Sequence, residues 1–245
     1  IIVQSTARAI PPELIEYKKT SSYTFYTKDE TYSKDQTYSK EEINEIAEPK
    51  KYGIRWNISD NDDLGEHCLD AVGLNATIGI GATDGYSDFD SIYPWSEIKR
   101  CNIKTNANDA EIITFEDEPG FTVDGSNGNV FVRIPVFCYD KYIKDGYEYH
   151  VISKSGYNVH PAFIENGKIL KEIYIGAYEA SEHDSKLCSR AGDIPKNCAV
   201  ASEFLTKATN NGTNYSLYDS RCVDAIWNLM AIEFGKRNTN QILGY

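Results

Sequence analysis

NVFVRIPVFCYDKYIKDGYEYHVIS, residues 129–153, holds the pattern on which the fold class turns. In its first half Val130, Val132, Ile134 and Val136 alternate with Phe131, Arg133 and Phe137. Successive side chains of a pleated strand point to opposite faces, so the valines and Ile134 are expected to face inward. Pro135 has no N–H to offer a neighbouring strand, which assigns this strand's end to a sheet edge or a bulge. DGSNGN (124–129) ahead of it is turn chemistry. KDG (144–146) joins YEYHVIS (147–153), a second strand, to the first as a hairpin.

Working outward, ILKEIYIGAYEAS (169–181) reads as another strand, and CLDAVGL (68–74) as a short helix or turn bounded by Gly73. The clearest helix is YDSRCVDAIWNLMAIEFG (218–235), where Cys222, Ile226, Leu229, Met230 and Phe234 make one apolar stripe and Gly235 ends the run. A stripe at that spacing is core, so Trp227 and Met230 belong to the scaffold and not to a cofactor site. The expected class is α+β, β-rich with a few helices.

The totals exclude several functions. A formal charge of −12 and a pI near 4.8 leave no basic footprint for a nucleic-acid duplex or an anionic membrane. No apolar run approaches the roughly 18 residues of a spanning helix. The six cysteines contain no C-x₂-C spacing, which argues against zinc. They are read as free thiols, with Cys188–Cys198 as the alternative bridge. Eighteen tyrosines against one methionine suit half-exposed sheets and contact surfaces, although an AT-rich gene gives the same bias.

A boundary falls near Pro49, dividing a segment 1–50 from a folded body 51–245. Ahead of it lie a short helix candidate, ELIEYKK after Pro11-Pro12, and a second with a capping box at Ser39 and Glu42. Between them a polar hexad recurs: YTKDET from Tyr26, YSKDQT from Tyr32, YSKEEI from Tyr38. Six residues turn an α-helix by about 600°, which scatters the tyrosines. In a strand or polyproline II the same step puts Tyr26, Tyr32 and Tyr38 on one face. An extended ribbon with one tyrosine row cannot bury itself alone, so these three residues are the expected oligomerisation contacts.

Catalytic and metal motifs are sparse. DNDDLGEHCLDA (60–71) opens like an EF-hand loop but has Leu64 and Ala71 where calcium needs oxygen ligands. GIGATDG (79–85) lacks the third glycine of a dinucleotide fingerprint. The histidines, His67, His150, His160 and His183, are scattered. Pro161 holds His160 extended, and a structural hydrogen bond is its expected role. Sequons at Asn57, Asn75, Asn211 and Asn214 follow from an Asn-rich composition.

The hexads resemble the stalk repeats of phage tail fibres and adhesins, which commonly trimerise. A second resemblance rests on KKYGIRWNISDNDD…LDAVGL (50–74), DFDSIYPWSEIKRCNI (88–103), VDGSNGNVFVRIPVFCY (123–139), GYNVHPAFIENGK…YIGAYEAS (156–181) and LYDSRCVDAIWNLMAIEFG (217–235). In this order they are similar to a family of phage tail-associated proteins, which resembles the variable proteins of diversity-generating retroelements. The resemblance implies a C-type-lectin-like fold from about Tyr52 onward, with Tyr93, Pro94, Trp95, Arg100, His160, Pro161, Gly176, Tyr178 and Glu179 as structural motif positions. Cys138 and Asp140 depart from residues that tend to be aromatic or basic in the family. Family members also continue past FGKRNTNQILGY into a Trp- and Asn-rich portion that displays the ligand surface, so the chain is expected to lack that portion, and no ligand residue is assigned.

The function this implies is that of a non-enzymatic virion protein, a tail-fibre or tail-tip adhesin on the phage surface, made in the bacterial cytoplasm. Its expected partners are itself as a homotrimer, other virion proteins through segment 1–50, and a host-surface glycan or protein. No cofactor, metal, nucleic acid or membrane insertion is expected. The alternative is a structural virion protein of the same fold, such as a head fibre, decoration protein or baseplate linker, without a receptor. Formylglycine-generating enzymes resemble the same architecture and use a cysteine pair, but neither Cys188 nor Cys222 lies in a motif like theirs.

Overall fold

The structure, a computed structural model, describes residues 2–5, 49–60, 63–79, 84–105, 111–239 and 242. The refrain tyrosines Tyr26, Tyr32 and Tyr38 and both N-terminal helix candidates lie outside these residues. Among the described residues, eleven strands form two antiparallel sheets: β1 (Ile2–Ser5), β2 (Lys51–Asn57), β3 (Glu66–Leu69), β4 (Lys99–Thr105), β5 (Glu111–Phe115), β6 (Asn129–Pro135), β7 (Cys138–Lys144), β8 (Tyr147–Ser153), β9 (Asn158–Val159), β10 (Glu172–Gly176) and β11 (Tyr215–Leu217). The six-stranded sheet runs β11–β1–β10–β6–β4–β5 and the five-stranded sheet β9–β7–β8–β2–β3. Two α-helices, α1 (Ala201–Thr209) and α2 (Ser220–Phe234), complete an α+β arrangement that is mostly sheet. Ile2–Ser5, which sequence alone places in the attachment segment, pair with both β10 and β11 inside the larger sheet.

The hairpin expected at KDG forms, but with a different first strand. Asp145 and Gly146 both have positive φ, 51° and 79°, the turn geometry that matches strand twist and that Asp-Gly adopts at low cost. It pairs β8 with β7, from Tyr147↔Lys144 to Ser153↔Cys138, and not with 129–135. The chain changes sheets between Pro135 and Cys138, so β6 and β7 belong to different layers.

Nor is β6 an edge strand. It lies between β10 and β4, and Pro135 is its last residue, opposite Glu172. The ladder passes the proline because Val136 N–H donates to the Lys171 carbonyl at 2.8 Å. Val130 and Phe131 are both fully buried although they point to opposite faces. The two faces serve two cores. One unites Ile134, Ile173 and Ile175 with Tyr52, Ile54, Trp56 and Ile152 of the other sheet and with Leu229 and Ile232 of α2. The second gathers Cys101, Ile103, Phe131 and Tyr174 under Ala208 of α1 and Leu187. Apolar residues on both faces therefore mark a strand buried twice.

Two more expectations are corrected by local geometry. The run 169–181 is divided among Lys168–Ile169, which pairs with Ile164–Glu165, then β10, then Ala180–His183, which pairs with Lys186–Ser189. In 68–74, Cys68 and Leu69 end β3 and only the rest is a turn, with Gly73 at φ 86°. On α2 the buried face is Cys222, Ala225, Asn228, Leu229, Ala231 and Ile232, while Ile226, Met230 and Phe234 are half-buried. Counting large side chains misplaced the stripe, because two alanines let the helix approach its neighbours and a hydrogen-bonded asparagine goes in with them. Asp219 caps α2 by accepting from the N–H groups of Arg221 and Cys222, and Gly235 closes it in the left-handed conformation.

The larger sheet ends at β5, whose IITF run would invite edge pairing. There Phe115 N–H donates to the Glu118 carboxylate at 2.8 Å and Glu118 N–H donates to the Phe115 carbonyl at 2.9 Å. Both polar groups at the strand end are taken within the chain. Glu118→Ala is expected to lower stability by about 1 kcal/mol in urea unfolding and to raise light scattering on heating.

Candidate functional site

The five-stranded sheet buries Ile54, Trp56, His150 and Ile152 on one side. Its opposite side carries a row set by register alone. Glu66 on β3 faces Arg55 on β2, Arg55 faces Tyr149 on β8, and Tyr149 faces Tyr142 on β7. The Tyr142 and Tyr149 rings stack with centroids 4.8 Å apart at 10°. Arg55 donates from Nη1 to the Tyr149 hydroxyl at 3.2 Å and from Nε to Glu66 at 2.9 Å, and its guanidinium lies 4.6 Å from the Tyr147 ring. Nearby the Lys51 ammonium sits 4.9 Å from the Tyr157 ring.

The floor beside this row is flat because Gly53 has no side chain. A Cβ there would meet Cys68 Sγ at 2.8 Å and Val151 Cγ2 at 3.3 Å. The Glu66–Arg55 pair is exposed and adds little stability, but it holds the guanidinium against two rings. Burial raises the Tyr142 phenol, so it stays a hydroxyl at neutral pH. The result is a rigid surface of half-buried phenols whose side-chain ordering is complete before a partner arrives, the property that lets aromatic contacts bind at small entropic cost. The tyrosine count pointed to such a surface, but the residues in it were missed. Once the Asp145-Gly146 turn is taken as a two-residue loop, Tyr142 must face Tyr149, and that was the available signal.

The motif positions lie apart from this face. Tyr93 donates its hydroxyl to the Val136 carbonyl where the chain changes sheets, and the Tyr93–Pro94 bond is cis. Pro94 and Trp95 are buried, and Trp95 packs on Phe89 at 4.8 Å and reaches the Leu229 carbonyl at 3.4 Å. Arg100 is exposed, paired with Glu116 at 2.8 Å. Gly176 ends β10 opposite Phe131. Tyr178 accepts from Ser189 Oγ through its backbone carbonyl and donates its N–H to the same hydroxyl; Glu179 is exposed. His160 is fully buried, with Pro161 starting the 3-10 turn Pro161–Phe163 behind it. Arg100 also meets the Tyr178 side chain, but the motif positions as a whole are not gathered at one place.

A second constellation lies along α2. His160 Nε2 meets the Asp224 carboxylate at 2.9 Å and His150 Nδ1 meets Asn228 Oδ1 at 2.8 Å. His67 Nε2 reaches the Ile232 carbonyl. Burial lowers both the His150 and the His160 imidazole, outweighing their hydrogen bonds to Asn228 and Asp224, so both are neutral at pH 7. Neither ring is open to a substrate, since His150 is 3% exposed and His160 0%.

Thiol chemistry follows burial in the same way. None of the six cysteines is in a disulfide; Cys188 is buried and Cys198 exposed, and the bridge between them is not formed. Burial pushes the Cys101 thiol up to about 12 and raises Cys188 and Cys222, the opposite of an activated thiolate. Among the described residues no group of three or more His, Cys, Asp or Glu side chains is placed to hold a metal ion, and no helix is long and apolar enough to cross a membrane. No protein-family model matches the chain, and no curated protein or solved structure matches it either.

Proposed function

We propose that the chain is a non-enzymatic phage virion protein, a tail-fibre or tail-tip adhesin with a C-type-lectin-like body. Segment 1–50, apart from the Ile2–Ser5 strand held in the larger sheet, attaches it to other virion proteins and, through Tyr26, Tyr32 and Tyr38, assembles it as a homotrimer. The contact with the host surface is the tyrosine face of the smaller sheet. The observation that carries this reading is the preorganised row Arg55–Tyr149–Tyr142 on an outward sheet face. The five sequence stretches that resemble phage tail-associated proteins supply the biological setting. Three copies on one mount would convert weak single contacts into avidity.

The test uses the full chain on an array of bacterial surface polysaccharides, together with native mass spectrometry. A trimer that binds is expected, and Tyr142→Ser with Tyr149→Ser is expected to weaken binding about thirtyfold, the size of a strong interface contact. A monomer that binds nothing counts against both parts. The structural reading, a head fibre, decoration protein or baseplate linker, is favoured by one observation: the two rings occupy each other's faces at 4.8 Å. A trimer indifferent to every surface polysaccharide would select it.

A further inference from the structure

Asparagine is followed by glycine at three places, Asn127-Gly128, Asn166-Gly167 and Asn211-Gly212. The pair is chemically labile because glycine has no Cβ to keep its backbone nitrogen away from the preceding side-chain amide. Attack by that nitrogen on the asparagine Cγ closes a succinimide ring. The N–Cγ bond forms, the Cγ–Nδ2 bond breaks, and the glycine amide proton leaves with the ammonia. Water then opens the ring at either carbonyl and leaves aspartate or isoaspartate. No other reactant is needed. What sets the rate at each pair is whether the fold lets the nitrogen and the amide meet.

Two of the pairs are tied. The Asn127 amide donates to the Gly120 carbonyl at 2.9 Å, and Gly128 N–H donates to the Gly125 carbonyl at 3.2 Å. Gly128 is also hemmed in by the Ile103 carbonyl, which a Cβ would meet at 2.4 Å, so it cannot swing without parting β4 from β6. The Asn211 amide donates to the Leu187 carbonyl at 2.8 Å and to the Ala208 carbonyl at 3.2 Å. Gly212 N–H donates to the Thr209 carbonyl at 3.0 Å. Conversion at Asn211 would therefore undo the end of α1.

Asn166-Gly167 differs in each respect. It is the tip of the hairpin in which Ile164 pairs with Ile169 and Glu165 with Lys168. Asn166 and Gly167 have φ 49° and 75°, the two-residue turn that Asn-Gly favours. Residues 164–168 are all exposed, and a Cβ on Gly167 would meet nothing within 4 Å beyond its chain neighbours. Among the described residues no hydrogen bond holds the Asn166 amide or the Gly167 N–H. Bringing the Gly167 nitrogen onto Cγ turns the tip out of its left-handed geometry, and only the two pairs of this hairpin resist.

We propose that Asn166 is a site of spontaneous deamidation, the one of the three Asn-Gly pairs that the fold leaves free to convert. The inference is independent of the virion reading. Conversion puts a carboxylate next in the chain to Glu165, which already attracts Arg221 at the start of α2. Arg221 Nη1 donates to the Ile164 carbonyl at 3.2 Å, so the new charge arises two residues from the contact between hairpin and helix. The isoaspartate product also lengthens the loop backbone by one atom, which a two-residue turn does not accommodate.

The test holds the full chain folded in heavy-oxygen water at mildly alkaline pH, then digests it in ordinary water for mass spectrometry. Water opens the ring, so product formed in the folded chain carries the heavy oxygen and product formed during digestion does not. Label at Asn166 is expected to appear at least about tenfold faster than at Asn127 or Asn211, since each tying bond that must open first slows the reaction by about that factor. In urea the three rates are expected to converge, because the unfolded chain ties none of them. No label at Asn166, similar folded rates at all three pairs, or a faster rate at 127 or 211 overturns the proposal. So does a folded ranking that persists unchanged in urea. Isoelectric focusing of the intact chain gives a second reading. Its acidic satellite is expected to grow at least about fivefold more slowly in Asn166→Gln, where glutamine would have to close a larger ring and the two tied pairs supply only the remainder. A variant that acidifies at the unmodified rate overturns the assignment.

Discussion

Gly128→Ala is expected to destabilise the chain by about 3–5 kcal/mol in urea unfolding, and to lower the thermal midpoint by about 10 °C. Two separate penalties combine there. Gly128 has φ 109°, a conformation side chains rarely adopt. Its missing Cβ would also lie 2.4 Å from the Ile103 carbonyl oxygen and 2.8 Å from the carbonyl carbon. Those atoms are backbone of β4 and cannot rotate away, so β4 and β6 would have to part where Ile103 pairs with Asn129. The turn has no slack to absorb the shift, because the Asn102 amide donates to the Thr122 and Gly128 carbonyls at 2.8 and 3.3 Å. Gly146→Ala is the control. It too has a positive φ, 79°, but an added Cβ would meet nothing within 4 Å. It is expected to cost only about 1 kcal/mol, so the difference between the two variants measures the steric clash.

The same contrast explains what could be seen in the sequence. Asp145-Gly146 is local turn chemistry, and from it the hairpin partners follow by counting outward, Lys144 with Tyr147 and Tyr142 with Tyr149. The tyrosine face was therefore within reach of sequence reasoning. The second face of β6 was not, because alternating valine and phenylalanine look alike whether one core or two await them. Pro135 misled for a related reason: its missing N–H argues for an edge only if the ladder depends on that residue, and Val136 supplies the bond instead. His150 meets Asn228 and His160 meets Asp224 across 78 and 64 residues. No periodicity connects such positions, and each histidine alone looks like an isolated polar residue. Asn228 on the apolar face of α2 was the available sign, since an asparagine buried among core residues needs partners.

Phe163→Ala should cost about 3–5 kcal/mol, measured by the same urea unfolding. The ring is fully buried and packs edge-on against Phe137, with centroids 5.1 Å apart. It is held there from both sides along the backbone. Phe163 N–H donates to the His160 carbonyl at 3.0 Å, and Leu170 N–H donates to the Phe163 carbonyl at 2.8 Å. Collapse of the surroundings onto the cavity would require the turn behind Pro161 to move, and that turn also positions His160 against Asp224. The cavity should therefore stay largely open, which puts the loss toward the upper end of the range. Phe163→Leu, which leaves most of the volume filled, is expected to lose about 1–1.5 kcal/mol. Ile164→Ala is a test of position, since the next residue along is 38% exposed and its truncation is expected to change stability by about 0.5 kcal/mol. Equal losses at 163 and 164 would mean that the turn, and not the buried ring, sets the energy at this junction.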